Sequence, residues 1–226
     1  MKIGLISDVH ANLPALETVL DDMPAVDRIY CAGDVVGYNP WPAGCVERVR
    51  EVAAATVRGN HDRTVETPER YAANRMAEAG LEHAKASLSD EQREWLGGLP
   101  RAETFAGDRY LLVHSHPAAE REDAYVYPEE FPTLDRHMGE YDGIVLGHTH
   151  VQGVRAAGGG FVCNPGSVGQ PRDGDPRAGY AVLDTTADGV DAVETHRVSY
   201  DVDRVAAAVR DADLPERTAE RLYDGA

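Results

Sequence analysis

Apolar residues in this chain follow two rhythms. Short continuous runs, KIGLIS, RIYCAG and AATVRG, read as strands buried on both faces. Between them, LPALETVLDDM and PAGCVERVREV repeat apolar positions three and four apart, as amphipathic helices do. The order β-α-β-α-β implies a parallel sheet, because only a long crossover returns the chain in the same direction. Residues 68–89, PERYAANRMAEAGLEHAKASLS, continue as a long helical region, and Asp90 is placed to cap a second helix in DEQREWLGGL. Strands resume at RYLLVHSH, GIVLGHTH, FVCNPGS, GYAVLD and VETHRVS, and the helical patterns VDRVAAAVRDA and PERTAERLYDG close the chain. No linker, repeat or low-complexity segment interrupts this succession, so residues 1–226 read as a single α/β domain with two sheets inside and helices outside.

Composition narrows the class. No apolar run approaches the ~20 residues of a membrane span, and MKIGLISDVH runs from a strand into polar chemistry without a cleavage signal. A cytoplasmic, non-membrane protein is expected. Cys31, Cys45 and Cys163 are too few and too widely spaced for a disulfide framework or a thiolate cage, and read as small buried residues.

Charge adds a second constraint. Against 39 acidic residues stand 22 basic ones, only Lys2 and Lys85 being lysine, and the net charge is −17. Such a surface repels polyanions, so bulk nucleic acid is a poor default partner. It is also the surface of a protein kept soluble in concentrated salt, where screening lengths of a few Å tolerate acidic self-repulsion. Halophilic adaptation is therefore expected, and a homo-oligomer is compatible with the sequence.

Polar residues gather where the apolar runs stop. Asp8 and His10 end the first, Asp34 the second, Asn60, His61 and Asp62 the third, and His114, His148 and His150 later ones. In open α/β sheets the carboxyl ends of strands are where ligands bind. Residues two apart in an extended segment face the same way, so Asp8 with His10, and His148 with His150, could each offer two ligands to one place. The glycines of AGD, RGN and LGH permit tight turns beside them. His83, His137 and His196 lack a carboxylate neighbour in their patterns and read as ordinary surface or core histidines. A mixed imidazole and carboxylate set without thiolate suits Mn, Fe, Zn, Ni or Co rather than Ca.

The ordered set Asp8-x-His10, Gly33-Asp34, Gly59-Asn60-His61-Asp62, His114 and Gly147-His148-Thr149-His150 resembles the calcineurin-like metallophosphoesterase superfamily. NPGSVGQPRDGDPRAGYAVLD, residues 164–184, further resembles its small prokaryotic phosphodiesterase branch. The resemblance implies a four-layer α/β/β/α sandwich with two mixed β-sheets and two divalent metal ions, manganese preferred. Asp8, His10, Asp34 and His150 would hold one ion, and Asp34, Asn60, His114 and His148 the other. His116 shares a face with His114 and is the alternative ligand or a substrate contact. His61, oriented by Asp62, would protonate the leaving alkoxide, and Asn60, Arg58 and Arg172 would contact phosphate; Tyr38 and Asn39 are placed to line the pocket. The implied function is a dinuclear phosphoesterase acting through a bridging hydroxide on phosphodiesters or small nucleotides. A phosphomonoesterase or phosphoprotein phosphatase is the alternative, and a catalytically silent scaffold a third.

Overall fold

The computed structural model describes residues 1–186 and 189–226. The first half runs β1 (Lys2–Ile6), α1 (Leu13–Asp22), β2 (Arg28–Cys31), α2 (Pro42–Val52), β3 (Ala53–Thr56), α3 (Asn60–Thr64), α4 (Arg75–Ser87) and α5 (Asp90–Gly98). The second runs β4 (Ala102–Phe105), β5 (Tyr110–Val113), α6 (Asp135–Met138), β6 (Gly143–Val145), β7 (Gly153–Ala157), β8 (Gly160–Asn164), β9 (Ala178–Thr186), β10 (Gly189–Val198), α7 (Val202–Asp211) and α8 (Glu216–Asp224). Two mixed five-stranded sheets result, ordered β10-β9-β1-β2-β3 and β4-β5-β6-β8-β7.

In each sheet the parallel strands, β1-β2-β3 and β5-β6-β8, carry the antiparallel ones at an edge. Alternation along β1 shows why its sequence is apolar throughout. Ile3 and Leu5 face the second sheet, in a cluster with Tyr110, Leu112, Val145 and Phe161, while Ile6 packs with α1 and α2 through Leu16, Val19 and Val46. Beyond the second sheet, Ile144, Leu146 and Val162 are covered by Phe131, Leu134 and Met138, completing the helix-sheet-sheet-helix order. The α7–α8 pair packs through Val205, Val209, Ala219 and Leu222 onto Trp41 and Ala79.

Several local expectations are corrected. Residues 68–89 do not form a continuous helix: a 3₁₀ turn over Pro68–Tyr71 precedes α4, which starts where the Asn74 side chain accepts the Ala77 N–H. The cap of α5 is Ser89, which exchanges hydrogen bonds with Gln92 in a capping box, and Asp90 lies in the first turn. The edge strands β4 and β7 are new, being short and partly exposed and so weakly patterned.

Candidate active site

The carboxyl ends of β1, β2, β3, β5 and β6 converge on one buried cluster. Asp8 and His10 reach it after β1 has ended at Ile6, and both adopt the left-handed backbone conformation, with φ of 52° and 46°. Asp34, His148 and His150 do the same at 53°, 69° and 59°. Each such residue costs roughly 1–2 kcal/mol relative to an extended or helical one. The extended-strand alternation expected for Asp8 and His10 is therefore replaced by tight loop geometry, which still brings both side chains together. His148 and His150 part company instead: His150 joins Asp8 and His10, and His148 joins Asp34 and His114.

Two of the three motif glycines are needed for close approach rather than for turning. A Cβ at Gly59 would overlap the Asp34 carboxylate, and one at Gly147 would lie 2.6 Å from Asp8 Oδ2. Gly33 alone of the three has a positive φ, 91°.

The distances describe two groups sharing a member. His150 Nε2 lies 3.3 Å and His10 Nε2 3.8 Å from Asp8 Oδ1. Asp34 Oδ2 lies 3.6 Å from His10 Nε2 and 3.3 Å from His114 Nε2, and Asn60 Oδ1 is 3.0 Å from His114 Nε2. Backbone carbonyls can only accept, so they fix the tautomers. His10 Nδ1 donates to Val36 O, His114 Nδ1 to Ala32 O and His150 Nδ1 to Gln170 O, which leaves each Nε2 facing the cluster, as a lone pair whenever the ring is neutral. His148 is reversed: its Nε2 donates to Asp123 O, leaving Nδ1 for the cluster.

This donor set fits divalent cations. The Nε2 atoms of His10 and His150 face each other at 3.0 Å with both Nδ1 protons already engaged, an arrangement that needs positive charge beside it. Burial opposes charge on every group, yet Asp34 and Asp8 overcome it at His114 and push that imidazole up to about 10. At Asp8, burial raises the carboxyl but the His150 and His114 charges prevail and hold it below the ordinary carboxylate range. His148 follows burial and is pushed down to about 4.

Asp62 does not orient His61. Its Oδ1 accepts the N–H groups of Val35 and Val36 and its Oδ2 those of Asp34 and Gly59, so the carboxylate ties the β2 and β3 loops together. Burial first, then the charge of Asp34, pushes it up to about 7. The His61 ring stands instead against His10, Tyr38 and Tyr71, with centroids 4.9, 4.8 and 5.1 Å away, and burial pushes it down to about 4. Its backbone N–H donates to Asp34 Oδ1.

A cavity of about 240 Å³ opens onto the cluster, walled by Asp34, Asn60, His61, His148 and His150. Arg172 reaches it across the Tyr38 ring, its guanidinium held by Gln170 Oε1. Arg58 and His116 line a separate, much smaller cavity behind His114, where Arg58 donates to Gly97 O and His116 Nδ1 accepts the Ala118 N–H. Neither contacts the main cavity, so the substrate contacts expected of them do not follow from their positions. Asn39 is likewise structural, donating to His10 O and Gly169 O. Tyr71, Asn74, Asp123, Tyr125 and Arg221 line the main cavity without any strand-end signal. Tyr71 is joined to Asn60 by a hydrogen bond from Asn60 Nδ2 to the phenol oxygen.

Comparison with known proteins agrees with this geometry. The family model of the calcineurin-like phosphoesterase superfamily domain matches residues 1–188. An uncharacterised protein of Methanocaldococcus jannaschii is 32% identical over 245 residues, covering 99% of this chain and 98% of the relative. The phosphodiesterase YfcE of Escherichia coli is 30% identical, over 81% of this chain and 88% of its own. A solved metallophosphoesterase from Sphaerobacter thermophilus superposes with a TM-score of 0.80 at 34% identity, over 100% of this chain and 99% of that one.

Proposed function

Because this chain belongs to the calcineurin-like phosphoesterase superfamily and is a metal-dependent phosphoester hydrolase, we propose that it cleaves phosphodiesters or small nucleotides with two divalent cations bound. The observation that carries the dinuclear reading is the place of Asp34, whose Oδ2 is within 3.6 Å of His10 Nε2 on one side and 3.3 Å of His114 Nε2 on the other. Asp8, His10 and His150 would hold one ion with Asp34; Asn60, His114 and His148 would hold the other with it. Bound there, the cations supply Lewis acidity that lowers the pKa of water and draws charge from phosphoryl oxygens. Imidazole, carboxylate and amide oxygen without thiolate suit Mn, Fe, Zn, Ni or Co, and manganese is preferred among them on the family resemblance.

The remaining steps belong to the protein's own side chains. Arg172, steadied by Gln170, would hold a non-bridging phosphoryl oxygen. His61, in the cavity wall, would meet the leaving oxygen. Burial keeps its imidazole neutral at pH 7, so the proton that leaves with the alkoxide is favoured on His61 only when an anionic phosphoester lies against the ring. That same shift supports a second reading, in which neutral His61 donates a hydrogen bond to the phosphoryl group. Diesters are preferred over monoesters on the likeness to YfcE. A single domain over residues 1–226 and a cytoplasmic location are part of the reading, supported by the packing of α7–α8 onto Trp41 and Ala79 and by three buried free thiols. Among the described residues no helix is long and apolar enough to cross a membrane.

Purified protein assayed with each candidate metal, in high salt, should hydrolyse aryl diesters faster than aryl monoesters, with manganese the strongest activator. No turnover with any metal would leave only a scaffold. The role of His61 is separated by His61→Ala, which should keep its metals yet slow alkyl diesters by ~100-fold or more. A smaller defect for nitrophenyl diesters supports the acid, and a defect independent of leaving group supports the hydrogen-bond donor.

A further inference from the structure

The cavity has a second cation in its wall that the strand-end motifs do not supply. Arg221 lies in the last turn of α8, a helix beyond the segment that the family model spans. Its neighbours on the helix, Thr218, Ala219 and Leu222, are buried against α7 and Ala79, which turns the stripe's edge toward the cavity. The helix end is fixed to the loop that carries Arg172. Gly225 ends α8 in the left-handed conformation at φ 62°, its carbonyl accepts the Gly174 N–H at 2.9 Å, and a Cβ there would lie 2.6 Å from the Asp175 carbonyl carbon.

Arg172 and Arg221 thus line one cavity from two segments that are tied to each other. Neither pairs with an Asp or Glu side chain among the described residues. Arg172 is held by Gln170, and Arg221 donates through Nε to a carboxyl oxygen of Ala226, the last residue. Of the two carboxylates in the wall, Asp123 is already bound to Arg63 and Asp34 lies against His114. Burial, then the charge of Arg172, disfavours the Arg221 cation, so the two guanidiniums repel each other across a space that an anion would relieve.

We propose that Arg221 forms a remote phosphate subsite, so that the preferred substrate is a phosphoester carrying at least one phosphoryl group besides the one attacked. This rests on the phosphoesterase reading above. Arg172 serves the attacked phosphate and Arg221 the next, and the α7–α8 hairpin sets substrate choice rather than chemistry.

The test uses two substrates with the same nitrophenolate leaving group: thymidine 5′-(p-nitrophenyl phosphate) with and without a 3′-phosphate. In the parent, the 3′-phosphorylated substrate should show the higher kcat/KM, by roughly 10- to 100-fold, the worth of one charge-assisted hydrogen bond. In Arg221→Gln the ratio should fall to near one, and in Arg221→Lys it should recover in part. Arg217→Gln, an exposed change on the same helix, should keep the parent ratio. Because the readout is a ratio within each protein, partial loss of folded material cancels. A parent ratio near one, or one that survives Arg221→Gln, overturns the subsite; absence of turnover on both substrates overturns the phosphoesterase reading instead.

Discussion

The two ligand groups differ in what stands behind them. Asp8, His10 and His150 are 0%, 0% and 2% exposed, and the first two lie behind the cavity wall. Asp8 is held by the Ser7 hydroxyl and the His148 N–H, and His10 by a carbonyl of the β2 loop. Asn60 and His148, by contrast, are 6% and 7% exposed and form part of the wall itself. Their outer partners are Tyr71, from a 3₁₀ turn, and the carbonyl of Asp123, from the segment between β5 and α6. The first group is set by strand ends and buried loops. Of the second, His114 is likewise held at the end of β2, but Asn60 and His148 lean on connections that are less deeply packed, so the ion proposed there should exchange faster and meet substrate more directly.

Asp34→Ala should break this comparison most severely, because it removes the ligand proposed to be shared. Metal content should drop at both positions and turnover should fall roughly 100- to 1,000-fold or more, an effect of the size seen when transition-state charge loses its main stabiliser. Elemental analysis showing parent occupancy in this variant would contradict the sharing. His83→Ala, whose ring bonds Pro40 O away from the cluster, is the matched control and should behave as the parent.

A smaller change sharpens the contrast. Tyr71→Phe deletes only the hydroxyl that receives the Asn60 amide, and should weaken one metal position by ~10- to 100-fold while leaving the other unchanged. Metal titration of the variant should therefore show one shifted and one unshifted step. A uniform shift of both would mean that the two groups are not independently supported.

The smallest effect on the site is expected from salt. Dilution to 0.01 M lengthens screening to ~30 Å and restores repulsion among the 39 acidic residues. The melting temperature should drop by several degrees, yet the order in which a chelator strips the two ions should stay the same, since the ligands are buried. A melting temperature indifferent to salt would separate the acidic composition from halophilic adaptation.

How far the sequence carried this picture depended on where each residue's position is decided. Asp8, Asp34, His114 and His148 were legible because each follows an apolar run, and burial on both faces leaves a parallel strand little freedom in where it ends. The left-handed conformations that aim Asp8, His10 and His150 were not legible, because they are imposed by neighbouring loops such as those joined by Asp62. The pairing of His148 with His114 rather than with His150 has the same origin. Tyr71, Tyr125 and Arg221 were invisible for a different reason. Their placement depends on how a 3₁₀ turn, a long connection and a terminal helix dock, and no local periodicity records docking. The long helix expected over residues 68–89 failed at Asn74, whose side chain caps Ala77 and starts a new helix within a continuous polar-apolar pattern.

The claim that two unequal metal positions share Asp34 is tested most directly by counting metal in Asn60→Ala. Parent and variant would be loaded with manganese, dialysed together and analysed for metal per chain. The account predicts two ions in the parent and one in the variant, because Asp8, His10, Asp34 and His150 are untouched while the second position has lost a ligand. Two ions retained in the variant, or one in the parent, would contradict it.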